Sequence, residues 1–141
     1  MMRAMLRSAL ASLLVLAATP FAAAQTGFAP KPGEEIDRAD RGELRRTVNY
    51  LAYTLGELHY LAFACVSTED QQWRERMIEL LELEAPGDSR GRAALIEAFN
   101  EGYAVQQRYR TRCGFESDAE RRALAHRGRD LAEMMRAAYF D

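Results

Sequence analysis

The sequence predicts an all-α domain: an up-down-up-down four-helix bundle with one disulfide and a second helix shorter than the others. Three observations carry that expectation. Leu44, Val48, Leu51, Leu55, Leu58, Ala62 and Cys65 recur at spacings of four and three, an apolar stripe along one long helix. No stretch alternates apolar and polar residues as a half-buried strand would. The two cysteines, Cys65 and Cys113, each fall where a helical pattern ends.

Residues 1–24 read as a secretory signal peptide rather than as part of the fold. Arg3 and Arg7 form a basic start, residues 9–18 are an apolar run, and Pro20 breaks it. Ala22, Ala23 and Ala24 then supply the small residues a signal peptidase reads, with cleavage expected after Ala24. The run is shorter than the roughly 20 residues of a transmembrane helix. No cysteine follows the cleavage site, so a lipid anchor is not expected. The remaining chain carries 17 basic and 21 acidic side chains, a net charge of −4, and no further membrane-spanning run. That balance argues against a nucleic-acid binder, which shows a basic excess.

Residues 25–40 contain Gly27, Pro30, Pro32 and Gly33 and are expected to form an extended lead-in. Residues 41–141 then make a single helical domain. In the first helix Ala52, His59, Phe63 and Val66 widen the apolar face, while Arg45, Arg46, Asn49 and Glu57 turn away from it. Thr68 with Gln71 has the form of a capping box for a second helix over about 70–84, burying Trp73, Met77, Leu80, Leu81 and Leu83. Pro86 and Gly87 end it. Asp88 or Ser89 caps a third helix over about 90–112, with Leu95, Ile96, Phe99, Tyr103 and Tyr109 inward. Ala94, Ala98 and Gly102 are small residues at four-residue spacing, and Gly102 is expected to let helix one approach. Gly114 is the natural stop after Cys113. Ser117 with Glu120 gives a second capping box, opening a fourth helix to about Phe140 with Leu124, Leu131, Met134, Met135 and Ala138 on one side.

Short connections make antiparallel neighbours, so helices one and three point the same way and their C-terminal ends meet. Cys65 closes helix one and Cys113 closes helix three, and an exported chain is where a disulfide forms and persists. A Cys65–Cys113 bridge is therefore expected. No Cys-x-x-Cys redox pair and no haem-attachment motif is present. His59 lies too far before Cys65 to join a metal site with the cysteines.

The two histidines, His59 and His126, do not assemble with a nucleophile and an acid into a catalytic arrangement. His59 reads as a packed, hydrogen-bonded residue. Glu97 and Glu101 sit one turn apart without the Glu-x-x-His partner of bundle metal sites. No phosphate loop or dinucleotide fingerprint occurs, and no cofactor is expected. Arginines crowd the end of helix three and the start of helix four, as a patch for an anionic partner or as dipole complementation on a solvated face. Asn100 and Tyr103 flank the mid-helix Gly102 as a candidate polar site. Helix two is too short to cover helix one, so Leu44, Val48 and Leu51, with Tyr139 and Phe140 opposite, form a candidate interaction groove unless residues 26–40 fill it.

The runs LGELHYLAFAC at 55–65, QQWRERMIELLELEAP at 71–86 and LIEAFNEGY at 95–103, with Arg90, Tyr109 and Cys113, resemble a family of small exported alphaproteobacterial proteins, domain of unknown function 2385. The resemblance covers residues 44–139. It implies a periplasmic or cell-envelope setting in a Gram-negative bacterium and brings no activity with it. A non-enzymatic module that binds a protein or envelope component is the expectation. The alternatives are a small periplasmic stress chaperone that loosens at low pH and a cell-wall enzyme using a carboxylate pair.

Overall fold

The computed structural model describes residues 32–109 and 112–140, with side-chain surroundings from Asp40 onward. The signal-peptide reading of 1–24 and the stretch 25–31 lie outside the described residues. Four helices follow in order: α1 (Pro32–Cys65), α2 (Gln72–Glu84), α3 (Ser89–Arg108) and α4 (Phe115–Phe140). At 13 residues α2 is the shortest. The extended lead-in is corrected over residues 32–40, which are the first turns of α1. Proline suits the first helical position, where its missing N–H is one of the orphan donors anyway and its φ is already helical.

The starts of α2 and α4 are built differently from the capping boxes read in the sequence. At α2 the Thr68–Gln71 box does not form. Asp70 instead accepts from the backbone N–H of Gln72 at 3.1 Å and from its side-chain amide at 2.9 Å. At α3 Asp88 caps as expected, accepting from the N–H groups of Arg90 and Gly91. At α4 the helix opens two residues before Ser117. Ser117 reaches back to accept from the Gly114 N–H at 2.9 Å, the role that Glu plays in a capping box. Gly87, at φ +76°, makes the α2–α3 turn that residues with a Cβ resist.

The fold is centred on α1, which packs against α3, α4 and α2. Leu58 and Leu124 meet near the cysteine end, and Leu51, Leu55, Met77, Leu81, Leu95 and Met135 form the larger core. With neighbours on three sides, α1 is buried well beyond one stripe: Thr54, Glu57 and Leu61 are covered as fully as its leucines. Glu57, which by periodicity turns away from the apolar stripe, is only 7% exposed. On the outer helices the buried stripe is narrower than read. Leu83, Ile96, Tyr109 and Met134 are exposed, as are Phe63 and Val66 beyond the last packed turn of α1.

The backbones of α1 and α3 approach each other closely at two glycines. A Cβ on Gly56 would overlap the Phe99 carbonyl, and one on Gly102 would overlap the Tyr53 carbonyl. Cys65 and Cys113 are bridged, their Cα atoms 5.2 Å apart, which ties the end of α1 to the segment leaving α3.

Candidate binding surfaces

Where α1, α3 and α4 meet lies a polar node. Arg127 on α4 donates to Glu57 at 3.1 Å. The Gln106 amide on α3 donates to Glu120 at 2.9 Å and, at 3.5 Å, to Glu57. Burial raises the Glu57 carboxyl above its ordinary value, and the Arg127 charge and the Gln106 amide only partly oppose that. The Gln106 Oε1 atom is buried without a donor. The node brings two carboxylates together, yet Glu57 lines none of the clefts described below. Sequence periodicity missed it because it reads apolar side chains, and a buried glutamate leaves no mark on that pattern.

Beside the node, His59 packs tilted against Phe99 at 5.7 Å and Tyr103 at 5.8 Å, and Tyr60 meets Tyr103 edge-on at 5.2 Å. The expectation of a packed His59 holds, but its Nδ1 is buried with no hydrogen-bond partner. Burial and the Arg74 charge lower its pKa below the ordinary value, disfavouring the charged ring. Tyr103 is thus occupied in the α1–α3 contact. Asn100 is exposed beside Ile96 and Glu97, so the two members of the candidate polar site line no common cleft. Among the described residues no three His, Cys, Asp or Glu side chains converge as a metal site would require.

At the Leu44 end a cleft of about 280 Å³ is bordered by Leu44, Val48 and Leu95, with Arg41 and Arg45 on one side and Tyr139 on another. Three residues of the candidate groove therefore come together. The other two do not: Leu51 faces the opposite side of α2, and Phe140, at 83% exposed, borders neither cleft. Residues 32–40 run on as helix and do not turn back to fill it. Tyr139 donates to Glu84 at 2.6 Å, linking the last turns of α4 and α2.

That link marks one end of a second and more apolar groove. Among the described residues no Cα of α2 comes within 8 Å of one in α4. Between them α1 forms a floor of Leu51, Leu55 and Leu58, with Trp73, Leu80 and Leu83 as the α2 wall and Ala125, Gly128, Ala132 and Met135 as the α4 wall. The groove has a volume of about 390 Å³ and continues past Trp73 and Ala125 toward Ala62 and Val66. Leu83, 76% exposed on its wall, had been assigned to the core.

The arginines divide. Arg108 donates to the Ala104 carbonyl of its own helix, Arg127 serves Glu57, and Arg121 lies 3.8 Å from Asp118. Arg122 and Arg129, seven residues apart on α4, are exposed and have no acidic partner among the described residues. Arg129 lines the α2–α4 groove and Arg122 its continuation.

These features define a disulfide-stapled helical bundle with a central helix and an apolar groove along it; no helix among the described residues is long and apolar enough to cross a membrane. The chain belongs to the family described as protein of unknown function DUF2385, whose model matches residues 44–139. Comparison with curated proteins and with solved structures returned no match.

Proposed function

We propose that the protein is an exported, periplasmic, non-enzymatic binding module of the cell envelope that seats an amphipathic helix in the α2–α4 groove. The observation that carries this reading is the apolar groove between α2 and α4, whose wall residues Leu83 and Ala132 are exposed above the buried leucines of α1. Leu51, Leu55 and Leu58 form a floor between two helices that do not meet, a geometry suited to the apolar stripe of a partner helix. The basic start, the apolar run and the Ala22–Ala24 site support export, and the Cys65–Cys113 bridge suits an oxidising compartment.

Among the described residues, Glu57 and Glu120 are a carboxylate pair that the fold brings together from different helices. Its members are held by Gln106 and Arg127 between helices and not on a concave surface. That favours binding over catalysis.

The test is site-specific photocrosslinking in the native cell. A photoreactive residue replacing Leu83, on the groove wall, is expected to give a discrete adduct that disappears when Ala132→Asp, exposed on the opposite wall, is added. The same residue replacing Ile96, exposed on α3, is expected to give none. Equal adducts from both positions would reject the groove as the binding face.

A further inference from the structure

Resting on that reading, we infer that the α2–α4 groove selects a helix with an acidic edge, which Arg122 and Arg129 of α4 receive. The two walls differ in what their charges already hold. Along α2 and just before it, each acid bordering the groove already holds a partner: Asp70 accepts from Gln72, Glu79 pairs with Arg76 at 2.8 Å, and Glu84 accepts from the Tyr139 hydroxyl at 2.6 Å. Along α4 the bordering arginines Arg122 and Arg129 have no such partner among the described residues. A guest helix therefore meets carboxylates that already hold partners within the chain on one side and unpaired arginine charge on the other.

The spacing fixes the register. Arg122 and Arg129 are seven residues apart, two helical turns, about 10.5 Å along α4. A guest lying alongside matches them with acids seven residues apart on one edge, next to apolar residues at three- and four-residue spacing. The floor from Leu51 to Ala62 is about 16 Å long, room for three turns. The Tyr139–Glu84 bond closes one end, and the far end, beyond Trp73, opens toward Val66.

The sole tryptophan of the chain, Trp73, stands on the α2 wall and reports occupancy by its fluorescence. The full exported chain, oxidised, is titrated with two tryptophan-free helical peptides of identical leucine stripe, one edged with glutamate and one with lysine at seven-residue spacing. The glutamate-edged peptide is expected to bind roughly ten-fold tighter at low salt, since an exposed ion pair contributes up to about five-fold. Its advantage should shrink at physiological ionic strength. In Arg122→Glu/Arg129→Glu the preference reverses while the helical circular dichroism is unchanged.

Equal binding of both peptides, or a preference for lysine, overturns the charge selection and leaves the groove standing. No response of Trp73 to either peptide overturns the groove reading and this inference together. A Trp73 signal that changes with protein concentration alone, with dimers in sedimentation, assigns the groove to a second copy of the chain and likewise overturns it. Binding only after removal of residues 25–31 assigns it to that segment, with the same consequence.

Discussion

Gly56 of α1 and Gly102 of α3 form a reciprocal contact in which each lies against the backbone of the other's helix, Gly56 on Phe99 and Gly102 on Tyr53. Side chains keep most helix pairs 8–10 Å apart; removing both Cβ atoms at the crossing lets these two come closer. The neighbouring turns carry Glu57 to Gln106 and His59 to Phe99 and Tyr103, so the glycine pair sets the geometry of the polar node and of the aromatic cluster.

The same substitution should therefore have opposite signs at different glycines. Alanine has the higher helix propensity by about 1 kcal/mol. At Gly42 the added methyl meets nothing nearer than 4.0 Å, and at Gly128 only ordinary contacts at 3.9 Å. Gly42→Ala and Gly128→Ala are expected to stabilise by about 0.5–1 kcal/mol. Gly56→Ala and Gly102→Ala must push two backbones apart and are expected to destabilise by about 3 kcal/mol or more. Urea unfolding of the four variants checks this; a stabilising Gly56→Ala would mean that the helices are not in contact there.

Two buried groups should give stability a two-sided dependence on pH. His59 is held below its ordinary 6.5 by burial and the Arg74 charge, with Asp70 opposing, so the unfolded chain takes up that proton first. Stability is lost as pH falls below 6.5 toward the folded value. Glu57 is raised above 4.5, so the folded chain holds that proton more tightly, and stability is regained as pH falls from its raised value toward 4.5. His59→Asn should flatten the first limb and Glu57→Gln the second, read as denaturation midpoints across the pH range. A profile in which Glu57→Gln leaves the acid limb unchanged would remove the node from the account.

The disulfide closes a loop between residues 48 apart in sequence. In the chain-entropy model such a closure stabilises by roughly 4 kcal/mol. Cys65→Ser/Cys113→Ser is expected to lower stability by up to about that amount and the unfolding temperature by ten degrees or more. The loss should be insensitive to pH below the thiol range, unlike that of the polar node. Calorimetry of the oxidised protein and the double variant measures both.

What the sequence disclosed follows from what periodicity can register. Helix existence, the shortness of α2 and the Cys65–Cys113 bridge were legible because they rest on apolar spacing and on where patterns end. Gly102 was legible as a misfit in mid-helix; its counterpart Gly56, buried in the strongest helical run, was not. Glu57 was misplaced because a single stripe describes a helix with one covered side, whereas three helices surround α1. Leu83 and Ile96 were misplaced for the converse reason: α2 and α3 each lean on the centre with a narrow face, and apolar residues beside it stay in water. The groove residues were half legible. Leu44, Val48 and Tyr139 do meet, but the larger apolar surface is set by the distance between α2 and α4, which no local pattern encodes.

Tyr139 and Glu84 provide a separate check on how the two outer helices are held. The Glu84 carboxylate accepts from the hydroxyl, and that bond, burial and the carboxylate charge push the Tyr139 pKa up to about 12 from 10.0. A raised value means the bond's contribution is fully present below pH 10.0 and is lost as pH rises through about 12. Of the 6 tyrosines, Tyr139 should therefore ionise late in a spectrophotometric titration. Tyr139→Phe should remove that late step, and Glu84→Gln should move it back toward 10.0. Because the ring is more than half exposed, neither change should alter global unfolding measurably. Amide exchange in the last turns of α2 and α4 should accelerate, since the hydroxyl is the tie between them. If exchange there is unaltered in Tyr139→Phe, the two helix ends are held by something other than this bond, and the end of the groove is not closed by it.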